Sequence, residues 1–128
     1  MRVLIIDDSA LMRRIVAKAL REAGLPLDEI VEAANGVEGV AALERLAAEG
    51  HETSLILCDV HMPALDGVGF LLRRAALGLA TAPVLMVTAD ASDPRVAEAL
   101  AAGASGFIAK PFSVEQVREQ AAAVMVHA

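Results

Sequence analysis

The sequence predicts an α/β fold: a doubly wound, five-stranded parallel sheet with helices on both faces, in one domain. Three observations predict it. Five short apolar runs alternate with five longer stretches of helical period. Most of the runs are apolar at successive positions, as strands covered on both faces are. A chain of 128 residues has room for one such domain and little else.

The elements follow in order. Val3–Ile6 is the first strand, and Met12, Ile15, Val16, Ala19 and Leu20 mark one face of the helix after it. Glu29–Ala33, more polar, suits an edge strand. Its helix opens at Asn35 with Glu38 three residues on, a capping box, and carries Val37, Val40, Leu43 and Ala47. Leu55–Cys58 is a third strand, followed by a shorter helix with Phe70, Leu71 and Ala75. Val84–Val87 is the fourth, and the next helix starts at Asp93-Pro94, with proline at the first helical position, and carries Ala97, Leu100 and Ala101. Gly106–Ala109 is the fifth, and Ser113 with Gln116 opens a last helix bearing Val114, Val117, Ala121 and Val124. Right-handed βαβ crossovers and five strands make the flavodoxin-like order 2-1-3-4-5 the expectation. In that order strands 1 and 3 are neighbours, and the ligand crevice lies at their carboxyl ends.

Composition excludes several function classes. Mean hydropathy is +0.55 and 56% of residues are hydrophobic, yet about one residue in five is alanine. The longest uncharged stretch, Ala75 to Ala89, is broken by Gly78, Thr81 and Pro83 and falls short of the roughly 20 residues a spanning helix needs. With no signal peptide either, the expectation is a soluble, cytoplasmic protein with no membrane partner. Eleven Lys+Arg against seventeen Asp+Glu give a net charge of −6, and aromatic residues are 2%. Nucleic acid, which needs clustered cations and stacking platforms, is therefore not an expected partner. The single Cys58 cannot form an internal disulfide and reads as an inert core thiol. His51 and His127 read as loop and tail residues, and Arg73-Arg74 as a solvated helix face.

Chemistry-bearing residues stand where strands end: Asp7-Asp8, Asp59, Thr88 and Lys110-Pro111. Three carboxylates crowded on one rim repel by about 4 kcal/mol per pair at ~4 Å and an effective dielectric near 20. A divalent cation relieves that, and an oxygen-only donor set favours Mg²⁺. An aspartate is also a nucleophile toward phosphorus, and Asp59, alone at a central strand end, is the best candidate. Lys110 can neutralise phosphoryl oxygens and the Thr88 hydroxyl can donate to one. Singly, each has an ordinary reading: a solvated acidic pair, a turn aspartate, a strand threonine, a snorkelling lysine. Four together at one rim do not.

These residues resemble those of the receiver domains of bacterial two-component response regulators, over the whole chain. The matching pieces are Ile5-Ile6-Asp7-Asp8-Ser9, then Cys58-Asp59-Val60-His61-Met62-Pro63 with Asp66-Gly67, then Val87-Thr88-Ala89, then Lys110-Pro111-Phe112. Within that family the likeness leans to single-domain chemotaxis regulators, through Asp8-Ser9-Ala10-Leu11-Met12-Arg13 and Ala102-Gly103-Ala104-Ser105-Gly106-Phe107. The resemblance implies one receiver domain over residues 1–128 with no output domain, a monomer that is not an enzyme beyond its own phosphorylation and dephosphorylation. It implies phosphoryl transfer to Asp59 from a histidine kinase, and Mg²⁺ held by Asp7, Asp8, Asp59 and the backbone carbonyl of His61. It implies a switch pair, Thr88 and Phe107, that remodels the fourth helix–fifth strand–fifth helix face for a target such as a flagellar switch protein. His61 and Asp90 are the positions implied to modulate phosphoryl lifetime, and the Lys110–Pro111 bond is expected cis.

Two positions depart from the family's common pattern. His61 stands where asparagine is frequent, and Phe107 where chemotaxis relatives often carry tyrosine, so recognition through a tyrosine hydroxyl is not available. A haloacid-dehalogenase-type phosphatase needs a second aspartate two residues after the nucleophile, which Asp59-Val60-His61 lacks. A dinucleotide site needs a glycine-rich loop where Asp8-Ser9-Ala10-Leu11 stands. The alternative that survives shares the chemistry: a phosphorelay shuttle passing its phosphoryl group to a histidine phosphotransfer protein.

Overall fold

The computed structural model describes residues 1–79 and 81–126, with the side chain of Val126 left aside. His127 lies outside the described residues. Ten elements alternate: β1 (Arg2–Ile6), α1 (Ala10–Glu22), β2 (Glu29–Ala33), α2 (Gly36–Ala48), β3 (Leu55–Asp59), α3 (Gly67–Ala76), β4 (Val84–Thr88), α4 (Pro94–Ala101), β5 (Gly106–Ala109) and α5 (Val114–Val126). All strand pairs are parallel and the order is β2-β1-β3-β4-β5, the expected flavodoxin-like arrangement.

The pleat divides the core in two. Leu4 and Ile6, Ile56 and Cys58, Val84 and Met86 point to one face, where they meet Val40 and Leu43 of α2, Phe70 and Leu71 of α3, and Val96 and Ala99 of α4. Val3 and Ile5, Leu55 and Leu57, Leu85 and Val87 point to the other, against Val16 and Leu20 of α1 and Val117 and Ala121 of α5. This is the period of two that strand geometry imposes, with both faces buried. Each fully buried Leu, Ile or Phe contributes roughly 1.5–3 kcal/mol.

Helix starts are set by side-chain caps. Ser9, Asn35, Asp66 and Asp93 each accept a hydrogen bond from a backbone N–H in the first turn of α1, α2, α3 and α4. Such a cap contributes about 1 kcal/mol.

The structure corrects the sequence reading at several points. β1, β3 and β4 extend one residue past the apolar runs, to include Arg2, Asp59 and Thr88. β5 is not covered on both faces: it is the second edge of the sheet, and only Ile108 in it is buried. In α2 the buried stripe runs through Gly36, Gly39, Val40, Leu43 and Leu46, while Val37 and Ala47 are exposed. In α4 the buried residues are Val96 and Ala99; Ala97, Leu100 and Ala101 are exposed. An alanine-rich helix offers more than one apolar face, so period alone selects the wrong one. Ile15 and Ala75 also face solvent. Arg74, expected on a solvated face, is instead half-buried and donates from Nη1 to the Ala82 carbonyl at 2.7 Å.

Gly67 seats α3 against the end of β3. A Cβ there would lie 2.6 Å from the Asp59 carbonyl oxygen and 3.2 Å from Val60 Cα, backbone atoms that cannot rotate aside. Gly67→Ala is expected to cost roughly 1–3 kcal/mol by overpacking, read as a lowered Tm in calorimetry. An unchanged Tm would show that the β3–α3 junction is free to shift.

Candidate functional site

The pleat that sorts the core also sorts the polar residues beyond it. Asp7 continues the row of Val3 and Ile5, Asp59 that of Leu55 and Leu57, and Lys110 follows Ile108 at the same parity. All three therefore fall on the α1/α5 side of the sheet. Thr88 continues Val84 and Met86 on the opposite side. The Lys110 N–H donates to the Thr88 carbonyl at 2.7 Å, which holds the end of β5 against the end of β4.

Oxygens of Asp7, Asp8 and Asp59 lie within 4.8 Å of one another, an arrangement able to hold a metal ion. The Lys110 ammonium stands 3.7 Å from Asp7 Oδ2 and 3.8 Å from Asp59 Oδ1. Asp7 is buried and Asp8 exposed, with Asp59 between the two. Asp7 Oδ1 accepts the Ser9 N–H at 2.9 Å, and its carbonyl accepts from Arg13 Nη1 at 2.7 Å. Asp59 Oδ1 accepts the Val60 N–H at 2.8 Å. Among the described residues no protein hydrogen bond reaches Asp59 Oδ2, which leaves that oxygen available.

Burial is the first cause of the acidity changes here. It pushes the Asp59 carboxyl up to about 6, the Asp7 charge adding to the rise while Lys110 and the Val60 N–H oppose it. Asp7 is raised as well, again by burial first, against the Ser9 N–H and Lys110. One ammonium facing three carboxylates leaves net negative charge, and at about 4.8 Å each carboxylate pair costs roughly 3–4 kcal/mol at an effective dielectric near 20. An all-oxygen donor set of this charge fits a hard divalent cation.

The other expected site residues do not join this cluster through their side chains. The Thr88 hydroxyl is buried and donates to the Asp90 carbonyl at 3.0 Å while accepting the Asp90 N–H at 3.1 Å. Phe107 lies outward on the β5 edge, 37% exposed. The His61 ring pairs with the Asp93 carboxylate at the start of α4. The Asp90 carboxylate is engaged by Ser92, whose hydroxyl and N–H both donate to Oδ1 and hold its pKa below the usual carboxylate range. The Lys110–Pro111 bond is cis.

Three contributors escaped sequence reasoning. Arg13 joins the Asp7 carbonyl to Glu32 of β2. Arg95 of α4 pairs with Asp66, the cap of α3. Ala64, at φ 66°, places a non-glycine residue in the left-handed region within the loop after Asp59. Arg13 lay off the apolar face and carried no pairing signal. The Asp66–Arg95 pair is long-range and invisible without topology.

Protein-family comparison matches residues 3–122 to the response regulator receiver domain. The chain is 32% identical over 126 residues to chemotaxis protein CheY1 of Helicobacter pylori, covering 98% of this chain and 97% of that one. It is 35% identical over 121 residues to chemotaxis protein CheY-3 of Vibrio cholerae, covering 94% and 88%. A solved CheX–CheY–BeF₃–Mg²⁺ complex from Borrelia burgdorferi is similar at a TM-score of 0.80 and 26% identity, covering 97% of this chain and 88% of that one.

The raised pKa of Asp59 carries a stability consequence with a definite sign. Well below pH 3.8 the carboxyl is neutral folded and unfolded, and nothing is lost. Between the unfolded value of 3.8 and the folded value of about 6, stability falls by roughly 3 kcal/mol and then stays level. Asp59→Asn is therefore expected to raise the Tm of metal-free protein at pH 8 and to leave it nearly unchanged at pH 4. Equal gains at both would assign the effect to packing rather than charge.

Proposed function

The chain belongs to the response regulator receiver domain family, and we propose that it accepts a phosphoryl group on Asp59 from a phosphohistidine donor and so switches a protein-binding face, in chemotaxis signalling. The observation that carries this is the meeting of Asp7, Asp8 and Asp59 with the Lys110 ammonium at the carboxyl ends of adjoining strands.

Each residue has a task that its surroundings suit. Asp59 is ionised above about pH 6 and presents Oδ2 to the incoming phosphorus. As the Asp59 oxygen–phosphorus bond forms, the phosphorus–nitrogen bond of the donor breaks and its electron pair returns to the imidazole, which takes a proton from solvent. Lys110, already 3.8 Å from Asp59, lies where it can balance charge on the new phosphoryl oxygens. Asp7, Asp8, Asp59 and the His61 carbonyl are the groups that would hold Mg²⁺, whose chemistry when bound is to neutralise carboxylate and phosphoryl oxygens together. The family pattern and the all-oxygen donor set support that assignment. In the Borrelia relative, BeF₃ and Mg²⁺ accompany CheY in its complex with CheX.

The donor would approach over α1. Met12 and Ile15 line an apolar cleft of about 330 Å³ with Lys110, Pro111 and Phe112, next to the phosphorylation site. The response would leave by the α4–β5–α5 face. Drawing the Thr88 hydroxyl from Asp90 toward a phosphoryl oxygen frees space on the side of the sheet where Phe107 lies, and Phe107 turning inward changes that face. Moving such an equilibrium from 1% to 99% takes about 5.5 kcal/mol of differential stabilisation. Two or three charge-assisted hydrogen bonds, at roughly 1.5–3 kcal/mol each, supply it. The single-unit organisation over residues 1–128 and a cytoplasmic setting belong to the same reading. The match to CheY1 over 97% of that relative's length supports the first. The absence, among the described residues, of a helix long and apolar enough to cross a membrane is compatible with the second.

Incubation with Mg²⁺ and acetyl phosphate, followed by intact mass measurement, tests the core of the reading. The expected result is a gain of one phosphoryl group that Asp59→Asn abolishes; wild-type protein without that gain would refute it. On the same phosphorylated protein, His61→Asn is expected to change the rate of phosphoryl loss, and an unchanged rate removes His61 from any part in lifetime.

A further inference from the structure

At the opposite end of the sheet from Asp59, where β4 begins, a cleft of about 370 Å³ lies among the α3–β4 loop, the α4–β5 loop and α5. Arg74, Thr81, Ser105 and Gln120 line it. A half-buried guanidinium ordinarily has a carboxylate partner, because removing its charge from water is costly unless it is paired. Arg74 has none among the described residues; its one protein hydrogen bond runs from Nη1 to the Ala82 carbonyl. Burial holds its pKa below the usual arginine range, and among the described residues no carboxylate acts to raise it. An arginine carries five N–H donors in a planar fork, so the remaining ones are free. The side chains of Thr81, Ser105 and Gln120 likewise make no hydrogen bond among the described residues. Among the described residues the cleft thus gathers one cation, two hydroxyls and an amide, with no anionic side chain lining it.

We propose that this cleft binds a phosphate-class oxyanion, with the Arg74 guanidinium as its counter-charge and Thr81, Ser105 and Gln120 as neutral donors. A tetrahedral phosphate presents more acceptor oxygens than a carboxylate and can use this many donors at once, bidentate on the arginine fork. The site is separate from Asp59 and does not depend on phosphoryl transfer there.

Titration of ¹⁵N-labelled protein with inorganic phosphate, in EDTA and at constant ionic strength, tests it without engaging the acidic site. Saturable amide shifts are expected at Arg74, Thr81, Ala82, Ser105 and Gln120, with acetate producing much smaller ones. Arg74→Gln is expected to weaken phosphate binding at least roughly tenfold, from loss of charge-assisted hydrogen bonds. Arg73→Gln, which removes the same charge from the exposed neighbouring position, should leave it unchanged. Shifts that do not saturate, or equal losses from the two substitutions, would overturn the proposal. If Arg74→Gln does not fold, Ser105→Ala takes its place, with weakened binding expected and unchanged binding counting against the site.

Discussion

A parallel strand buried on both faces has one place for a reactive side chain, the residue just past its end. In this protein that constraint organises everything else. Because β1, β3 and β4 are apolar and buried over Val3–Ile6, Leu55–Cys58 and Val84–Val87, Asp7, Asp59 and Thr88 are confined to a single rim. The pleat then decides which of them meet. Asp7, Asp59 and Lys110 share one parity and converge, while Thr88 and Phe107 share the other and lie apart from them. The acidic cluster and the Thr88–Phe107 side are thus separated by the thickness of one sheet.

Crowding like charges in that position costs stability. Burial first, and the Asp7 charge after it, raises Asp59 to about 6, and Lys110 only partly offsets the two. A divalent cation held by Asp7, Asp8 and Asp59 would relieve that repulsion. The loops that follow β3 and β4 lead away from Asp59 and Thr88. Their backbone is held by Asx-type and capping bonds from Asp66, Asp90 and Asp93.

The fold was almost fully legible from the sequence, because strand runs and helix caps are local signals: Asn35 with Glu38, and Asp93 before Pro94, mark helix starts where the structure has them. Where reading failed, the missing information was tertiary. In α4, alanines at several positions made two faces equally apolar, and only the packing of Val96 and Ala99 under β4 selects one. The rim residues Asp7, Asp8, Asp59 and Lys110 could be named from their positions at strand ends. The link from His61 to Asp93 and from Asp66 to Arg95 could not, since each joins residues about thirty positions apart with no periodic trace. Arg74 was misread for a related reason: two adjacent arginines at the end of a helix look solvated until the following loop folds over one of them.

Those two long-range pairs place α4 in a distinctive position. It buries only Val96 and Ala99, fewer apolar side chains than α2 and α3 on the same face of the sheet, and its first turn is tethered to the β3–α3 loop by the His61–Asp93 contact and the Arg95–Asp66 ion pair. In terms of local opening, it is the helix whose release leaves both apolar layers largely in place. Its attachment answers to ionic strength, because exposed ion pairs are screened while apolar packing is not. The segment that can detach at least cost is therefore anchored to the loop that directly follows Asp59, and salt rather than apolar packing sets how firmly its first turn is held.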